Sequence, residues 1–221
     1  MNLTLFDLDH TLLPIDSDYS WGEFSLKIGW VDPVTFKAKN DQFFADYQSG
    51  NLNIHDYVRF ATEAVRLKGP ALAAQAHLQF MQEVILPSIQ PGALNLIKLH
   101  QDAGDHVMIV TATNEFVTRP IATALGIQEL IAVELAKDAN GWITGDISGT
   151  PSFKMGKVTR VEQWLSAHQK SWSDVHLTFY SDSLNDLPLL EKAQMPVATN
   201  PDARLRQLAT DRGWRILELF T

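Results

Sequence analysis

The sequence predicts an α/β fold, a doubly wound parallel-sheet core with an inserted all-helical cap domain. Three observations carry this. Short apolar runs alternate with helical periodicity along the chain after residue 90. Residues 16–89 contain no convincing β run and read as helix throughout. Three of the strand-like runs end in polar residues at their carboxyl ends, where open α/β sheets bind ligands.

The elements follow in order. Leu3–Phe6 is the first strand. The helical stretch after it holds 11 of the chain's 21 aromatics, from Tyr19 to Phe80. A small cap fits this stretch better than a loop, because long structureless loops are uncommon. Strands are then expected at His106–Val110, Leu130–Leu135, Val175–Tyr180 and Pro196–Ala198. Helices fall at Gly92–Ala103, Arg119–Leu125, Val158–His168, Asp186–Lys192 and Asp202–Ala209. Asn200 before Pro201 reads as an N-cap with proline at the first helical position. Trp142–Ile147 reads as a short hairpin strand with turn signals beside it. The expected division is a core of 1–15 and 90–221 and a cap of 16–89.

With 221 residues and 45% hydrophobic content, the chain can bury a real core. A net charge of −8 argues against nucleic-acid binding. Cysteine is absent, which removes disulfides, thiolate metal sites and a cysteine nucleophile. The start lacks the basic and long apolar regions of a signal peptide, and no run is long enough to span a membrane. The expectation is a soluble cytoplasmic protein with no membrane partner; oligomeric state is not legible.

The stretch Phe6-Asp7-Leu8-Asp9-His10-Thr11-Leu12-Leu13 ends the first strand with two acids one residue apart. Residues i and i+2 of a strand point the same way, so the two carboxylates would project together. Like charges about 4 Å apart cost about 4 kcal/mol at an effective dielectric near 20, unless a cation or a proton relieves them. The run Val107–Asn114 ends in the hydroxyl of Thr111 and then small residues that let backbone N–H groups approach an anion. Asn114 there also reads as a helix N-cap. In Thr178–Asp186 another strand ends in Asp182, with Asp186 opening a helix. Taken singly, each stretch is an ordinary loop or helix start; three at one sheet edge make a site.

These stretches resemble the motif set of the haloacid dehalogenase superfamily of phosphohydrolases. Asp7-Leu8-Asp9-His10-Thr11 matches its DxDxT signature, Thr111 its second-motif hydroxyl and Lys157 its third-motif lysine. Ser181-Asp182-Ser183-Leu184-Asn185-Asp186 matches the GDGxND pattern, with serine replacing both glycines. The helical insert after the first strand and Ile143-Thr144-Gly145-Asp146 resemble the phosphoserine-phosphatase-like branch. The resemblance implies a Rossmann-like core and Mg²⁺-dependent hydrolysis of a small phosphomonoester through an aspartyl-phosphate. It implies Asp7 as nucleophile and Asp9 as general acid and base. The implied Mg²⁺ ligands are the Asp7 carboxylate, the Asp9 backbone carbonyl and Asp182, with Asp186 behind them holding metal waters or Lys157. Thr111, Ala112 through its backbone, Lys157 and Asn185 would cradle the phosphoryl group.

On the substrate side the pattern departs from phosphoserine phosphatases. The position of their amine-binding glutamate holds Asp16, and that of their cap arginine holds Ala61. Arg59 lies two residues away, on a different helix face. Phosphoserine is therefore disfavoured, and Asp16 is free to bind another cationic group, as in an amino-alcohol phosphate such as histidinol phosphate. The aromatics are expected mainly to fill the cap's core, with a surplus for a flat substrate. A phosphotransferase or mutase using the same aspartyl-phosphate remains an alternative, as does a non-catalytic phosphate-binding module. A phosphorelay receiver domain fits less well, since it would have no helical insert.

Overall fold

A computed structural model describes residues 1–220. Six parallel strands form the central sheet in the order β3-β2-β1-β6-β7-β8. They are β1 (Asn2–Phe6), β2 (His106–Asn114), β3 (Glu129–Val133), β6 (His176–Ser181), β7 (Met195–Thr199) and β8 (Arg215–Leu217). From β1 the chain builds outward on one side through β2 and β3, then returns to place β6 against the other side of β1. The topological switch point thus flanks β1, where ligands bind in such sheets. Register fixes its height: Phe6 pairs with Ile109 on one side and Tyr180 on the other. Asp7 N–H donates to Tyr180 O at 2.9 Å, so the acid after β1 stands level with the end of β6.

The alternation of each strand serves both faces of the sheet. Leu3, Leu5, Met108, Val110, Leu177 and Phe179 pack on one face under α7 (Met155–Ala167), α8 (Leu187–Leu190) and α9 (Ala203–Arg212). Phe6, Ile109, Tyr180 and Val197 pack on the other under α5 (Pro91–Asp102) and α6 (Glu115–Ala124). This second core continues without a break into the helical insert through Trp21, Phe24 and Phe80.

The insert comprises α1 (Ser17–Lys27), α2 (Pro33–Ser49), α3 (Ile54–Phe80), a π-turn at Met81–Ile85 and α4 (Leu86–Ser88). Each of the first three helices is capped by its own sequence: Asp16, Asp32 and Asn53 accept from backbone N–H groups of the first turn. Gly50, at φ +78°, closes α2 in the left-handed conformation. Helix α3 breaks at Gly69, with φ 78° and ψ 170°, and restarts at Pro70.

Several elements differ from expectation. The strand expected at Leu130–Leu135 is cut at Val133; Leu135 belongs instead to β4 (Leu135–Lys137), antiparallel to β5 (Ile143–Ile147) in a separate hairpin. Asn200 does not cap a helix: Asp202 caps α9, its side chain accepting from Leu205 N at 2.7 Å. Asn200 has φ +47° and crosslinks the chain, donating from Nδ2 to His10 O and accepting from Leu219 N. Asn and Asp tolerate this conformation better than other side chains, so the signal for a cap was also one for a turn. Helix α6 begins at Glu115, a turn earlier than periodicity placed it, because Asn114 caps it. The stretch opening at Asp186 is a 3-10 turn, Leu184–Asp186, leading into the short α8. Strand β8 was not expected at all.

Candidate active site

The carboxyl ends of β1, β2 and β6 and the inner faces of α1, α2 and α3 enclose one cleft. Asp7, Asp9, Asp16, Thr111, Ala112 and Asp182 all line it. Lys157 meets Asp7 beneath the cleft floor, its Nζ 2.7 Å from Asp7 Oδ1 and 2.7 Å from Asp186 Oδ2, with all three side chains buried. Lys157 reaches this point because α7 starts hard against the preceding loop. A Cβ on Gly156 would sit 1.9 Å from Pro151 O, so only glycine fits there. The next residue of that loop, Ser152, ties it to β2 by donating to Thr111 O at 2.6 Å. Asn185 does not line the cleft. Its Nδ2 donates to Tyr47 O at the end of α2, placing it at the seam between insert and core.

Burial raises Asp7, and the Lys157 charge works against that rise. Burial alone would lower Lys157, but the charges of Asp186 and Asp7 override it and hold the ammonium protonated. Asp186 is pushed up to about 6 by burial, with Lys157 opposing; Ser181 Oγ donates to it at 2.8 Å. Asp182 stands well above the carboxylate range, first through burial and then through the charges of Asp7 and Asp186. Thr11 holds it in place, donating from Oγ1 to Asp182 Oδ1 at 3.1 Å and accepting from Asp182 N at 3.0 Å.

Three acids around one lysine leave negative charge in surplus, and an incoming phosphate would add more. An oxygen-seeking divalent cation fits that donor set. No three carboxylate, imidazole or thiolate side chains converge on one point among the described residues. A donor set of two carboxylates and one backbone carbonyl does not need them to.

Asp9 has different surroundings from Asp7, although two residues separate them. Its Oδ1 accepts from Ser17 N at 2.7 Å and its Oδ2 from Thr113 Oγ1 at 2.8 Å. Burial and the Asp16 charge push it up to about 6 against those hydrogen bonds. A carboxyl near that value can give and take a proton close to neutral pH. Thr111, buried at the end of β2, accepts Thr113 N on its hydroxyl at 3.1 Å and keeps the hydroxyl proton for an anion.

Asp16 has two duties: it N-caps α1 by accepting Tyr19 N at 2.8 Å, and it lines the cleft. Arg59 is not in the cleft; it pairs with Asp146 on the β4–β5 hairpin at 2.9 Å. The insert's aromatics divide between core and cleft. Trp21, Phe24 and Phe80 pack together, whereas Phe43, Phe44, Tyr47 and Tyr57 line the cleft.

Sequence reasoning missed Asp18. It lines the cleft at 4% exposure, accepting from Asn114 Nδ2 at 3.2 Å with the Tyr57 hydroxyl beside it. Burial first, then the Asp16 charge, push it up to about 8. The available signal was the spacing Asp16-Ser17-Asp18, read only as a helix start.

Residues 4–191 match the haloacid dehalogenase-like hydrolase family. A protein of Neisseria meningitidis named histidinol-phosphatase is 41% identical over 217 residues, 98% of each chain. A phosphoserine phosphatase of Mycobacterium tuberculosis is 36% identical over 219 residues, covering 96% of this chain and 68% of its own. Among solved structures, a Bordetella pertussis protein described as of unknown function aligns at a TM-score of 0.93, with 44% identity and 99% coverage of both chains. A substrate-bound phosphoserine phosphatase aligns at 0.68 with 18% identity, covering 98% of this chain and 92% of its own, and so shares the fold.

Proposed function

We propose, from the premise that the chain belongs to the haloacid dehalogenase-like hydrolases and is a phosphatase, that it is a Mg²⁺-dependent enzyme of the cytoplasm. It would hydrolyse the phosphate ester of a small amino alcohol, with histidinol phosphate the first candidate. The catalytic core would comprise residues 1–15 and 90–221, and residues 16–89 the cap. The observation that carries the reading is the contrast between Asp7 and Asp9 at one strand end. Asp7, held by Lys157 at 2.7 Å, is fixed for in-line attack on phosphorus. The bond to the leaving oxygen breaks as the Asp7–phosphorus bond forms. Asp9, pushed up to about 6 and aligned by Ser17 and Thr113, gives that oxygen its proton. It then takes one from the water that cleaves the aspartyl-phosphate, returning Asp7 to its first state.

Lys157, Thr111 and the Ala112 backbone would hold the phosphoryl oxygens, and Asp186 keeps Lys157 charged and in place. The Asp7 and Asp182 carboxylates and the Asp9 carbonyl would hold Mg²⁺. When bound, it would supply charge neutralisation for the acids and the phosphate. Asn185, drawn to Tyr47, would contribute to phosphate binding only indirectly, through the seam with the cap.

Support for the substrate comes from the cleft's own charge. Asp16 lines the cleft and would meet a substrate amine, and Phe43, Phe44, Tyr47 and Tyr57 give the same cleft aromatic walls. The 41% identity to a histidinol-phosphatase points the same way. The test is phosphate release from nitrophenyl phosphate, phosphoserine and histidinol phosphate with Mg²⁺ and with EDTA. Histidinol phosphate should be cleaved with the highest kcat/KM and the chelator should stop the reaction. Full activity in EDTA, or no release from any of the three, would overturn the reading.

A further inference from the structure

Phosphate chemistry does not explain why Asp18 is buried on the cap side of the cleft. It lies in the first turn of α1, and no lysine, arginine or histidine pairs with it or with Asp16 among the described residues. Burying an acid without a cationic partner works against folding. A purely structural duty, offering an oxygen to Asn114 Nδ2, could be met by asparagine with no charge to bury. An acid kept there can instead give its proton to a basic group that arrives with the substrate.

Where it would arrive follows from the elements that carry the acids. Asp7 follows the end of β1, Asp16 caps α1, and Asp18 sits in the first turn of that helix, bonded to Asn114. All three line the same cleft, Asp7 on the core side and the other two on the cap side. Its far wall includes Phe43 and Tyr57, packed edge-on with centroids 5.4 Å apart. An apolar, π-faced wall beside a buried carboxylate suits a flat ring carrying positive charge.

We propose that Asp18 is a specificity-determining residue that receives a second positive charge, on a flat ring, in a substrate whose first cation is an amine held by Asp16. The inference rests on the phosphatase reading above and names which of its substrates fit. Histidinol phosphate carries an amine on the carbon next to the phosphoester methylene and an imidazole one carbon beyond. Phosphoethanolamine carries the amine alone. Phosphoserine places a carboxylate on that same carbon, against two acids.

The experiment compares wild type, Asp18→Asn, Asp18→Glu and Asp16→Asn on histidinol phosphate, phosphoethanolamine and nitrophenyl phosphate, with Mg²⁺. Asp18→Asn should raise KM for histidinol phosphate at least tenfold with kcat nearly unchanged. KM for the other two substrates should stay within about twofold, because neither reaches Asp18 with a charge. Asp16→Asn should raise KM for both amines far more than for nitrophenyl phosphate. Any change in kcat that reaches Asp9 through the lost Asp16 charge should be common to all three substrates. Asp18→Glu should recover part of the histidinol phosphate loss, which a purely structural role for Asp18 would not produce. Unchanged KM for histidinol phosphate in Asp18→Asn, or equal losses on all three substrates, overturns the inference while leaving the phosphatase intact. If wild type cleaves none of them, the phosphatase reading fails. Calorimetric titration of histidinol phosphate then reads Asp18 alone, and an affinity unchanged by Asp18→Asn overturns the inference too.

Discussion

The two sides of the cleft handle negative charge in opposite ways. On the core side, Asp7 and Asp186 share one buried lysine, and Ser181 and Thr11 donate to the acids around it. On the cap side, Asp16 and Asp18 have backbone, amide and hydroxyl donors but, among the described residues, no cation. A site whose acids are met by the chain's own lysine, and by Mg²⁺ in the proposed function, is built before substrate arrives, which is what positioning an in-line displacement demands. A site whose charges are left open is built to be completed by the substrate. The core side would then set the chemistry and the cap side the choice of substrate.

The largest effect that could break this division is at Asp7. Asp7→Asn keeps an oxygen for Lys157 but would remove the nucleophile of the proposed mechanism, so turnover should fall by at least ~10⁴-fold on every substrate. Rapid-quench mass spectrometry should find phosphate on the wild-type peptide containing Asp7. Activity within tenfold of wild type, or label confined to a peptide containing Asp182, would reassign the nucleophile. Asp9→Asn should cost less, in the range ~10²–10⁴ typical of proton transfer. That loss should shrink for nitrophenyl phosphate, whose leaving group needs little protonation. A loss independent of leaving group would place Asp9 in binding or folding rather than in proton transfer.

The core side was largely legible in the sequence, and the cap side was not, for a physical reason. Asp7 and Asp182 follow, and Thr111 lies near the end of, strands whose apolar alternation is dictated by burial on both faces, so their convergence comes from the sheet itself. Lys157 was legible only through the spacing of the whole motif set, because a lysine near a helix start is usually solvated. Its burial depends on a glycine contact with Pro151 that no periodicity encodes. Asp18 looks locally like any acid favouring a helix N-terminus. Only the packing of α1 against Asn114 and α3 turns it inward. Asn200 failed as a cap for the complementary reason: its role spans 190 residues, from Asn200 to His10.

The buried, unpaired acid on the cap side carries a stability signature. Asp18 is pushed up to about 8 by burial, then by Asp16, whereas an unfolded aspartate sits near ~3.9. The native state therefore binds a proton that the unfolded chain has already released. Stability is full below the unfolded value and falls as pH rises toward the folded one, a window of about pH 4 to 8. Asp16 and Asp9, the acids facing Asp18, with Tyr57 and Asn114 remain in Asp18→Asn, and losing the Asp18 charge relieves the two acids in the same direction. Without ligand, the variant should melt several degrees above wild type at pH 8 and within about a degree of it at pH 4. Parallel melting curves across that range would show that Asp18 is not held as a proton-binding acid in the free protein.

The smallest predicted effect lies at the seam where the two sides meet. Three core side chains donate to backbone carbonyls at the end of α2: Asn185 to Tyr47, Arg204 to Gln48 at 2.6 Å, and Lys154 to Gly50. Such carbonyls carry the negative end of the helix dipole and lack the usual i+4 donor, Tyr47 O taking the Gly50 N–H instead, so two cations and an amide suit them. Because Asn185 follows Asp182 by three residues, this contact ties cap position to the loop that carries one of the acids. Arg204 is half-exposed and pairs with Asp202. A hydrogen bond of this kind contributes about 0.5–1.5 kcal/mol, and solvent competition puts this one at the lower end. Arg204→Ala should accordingly raise KM about two- to fourfold on charged and uncharged substrates alike, with kcat unchanged or slightly higher if cap opening limits product release. That uniform, substrate-blind change is the opposite of what Asp18→Asn should do. A KM shift confined to histidinol phosphate in Arg204→Ala would mean that the seam, and not the open acids, sets the choice of substrate.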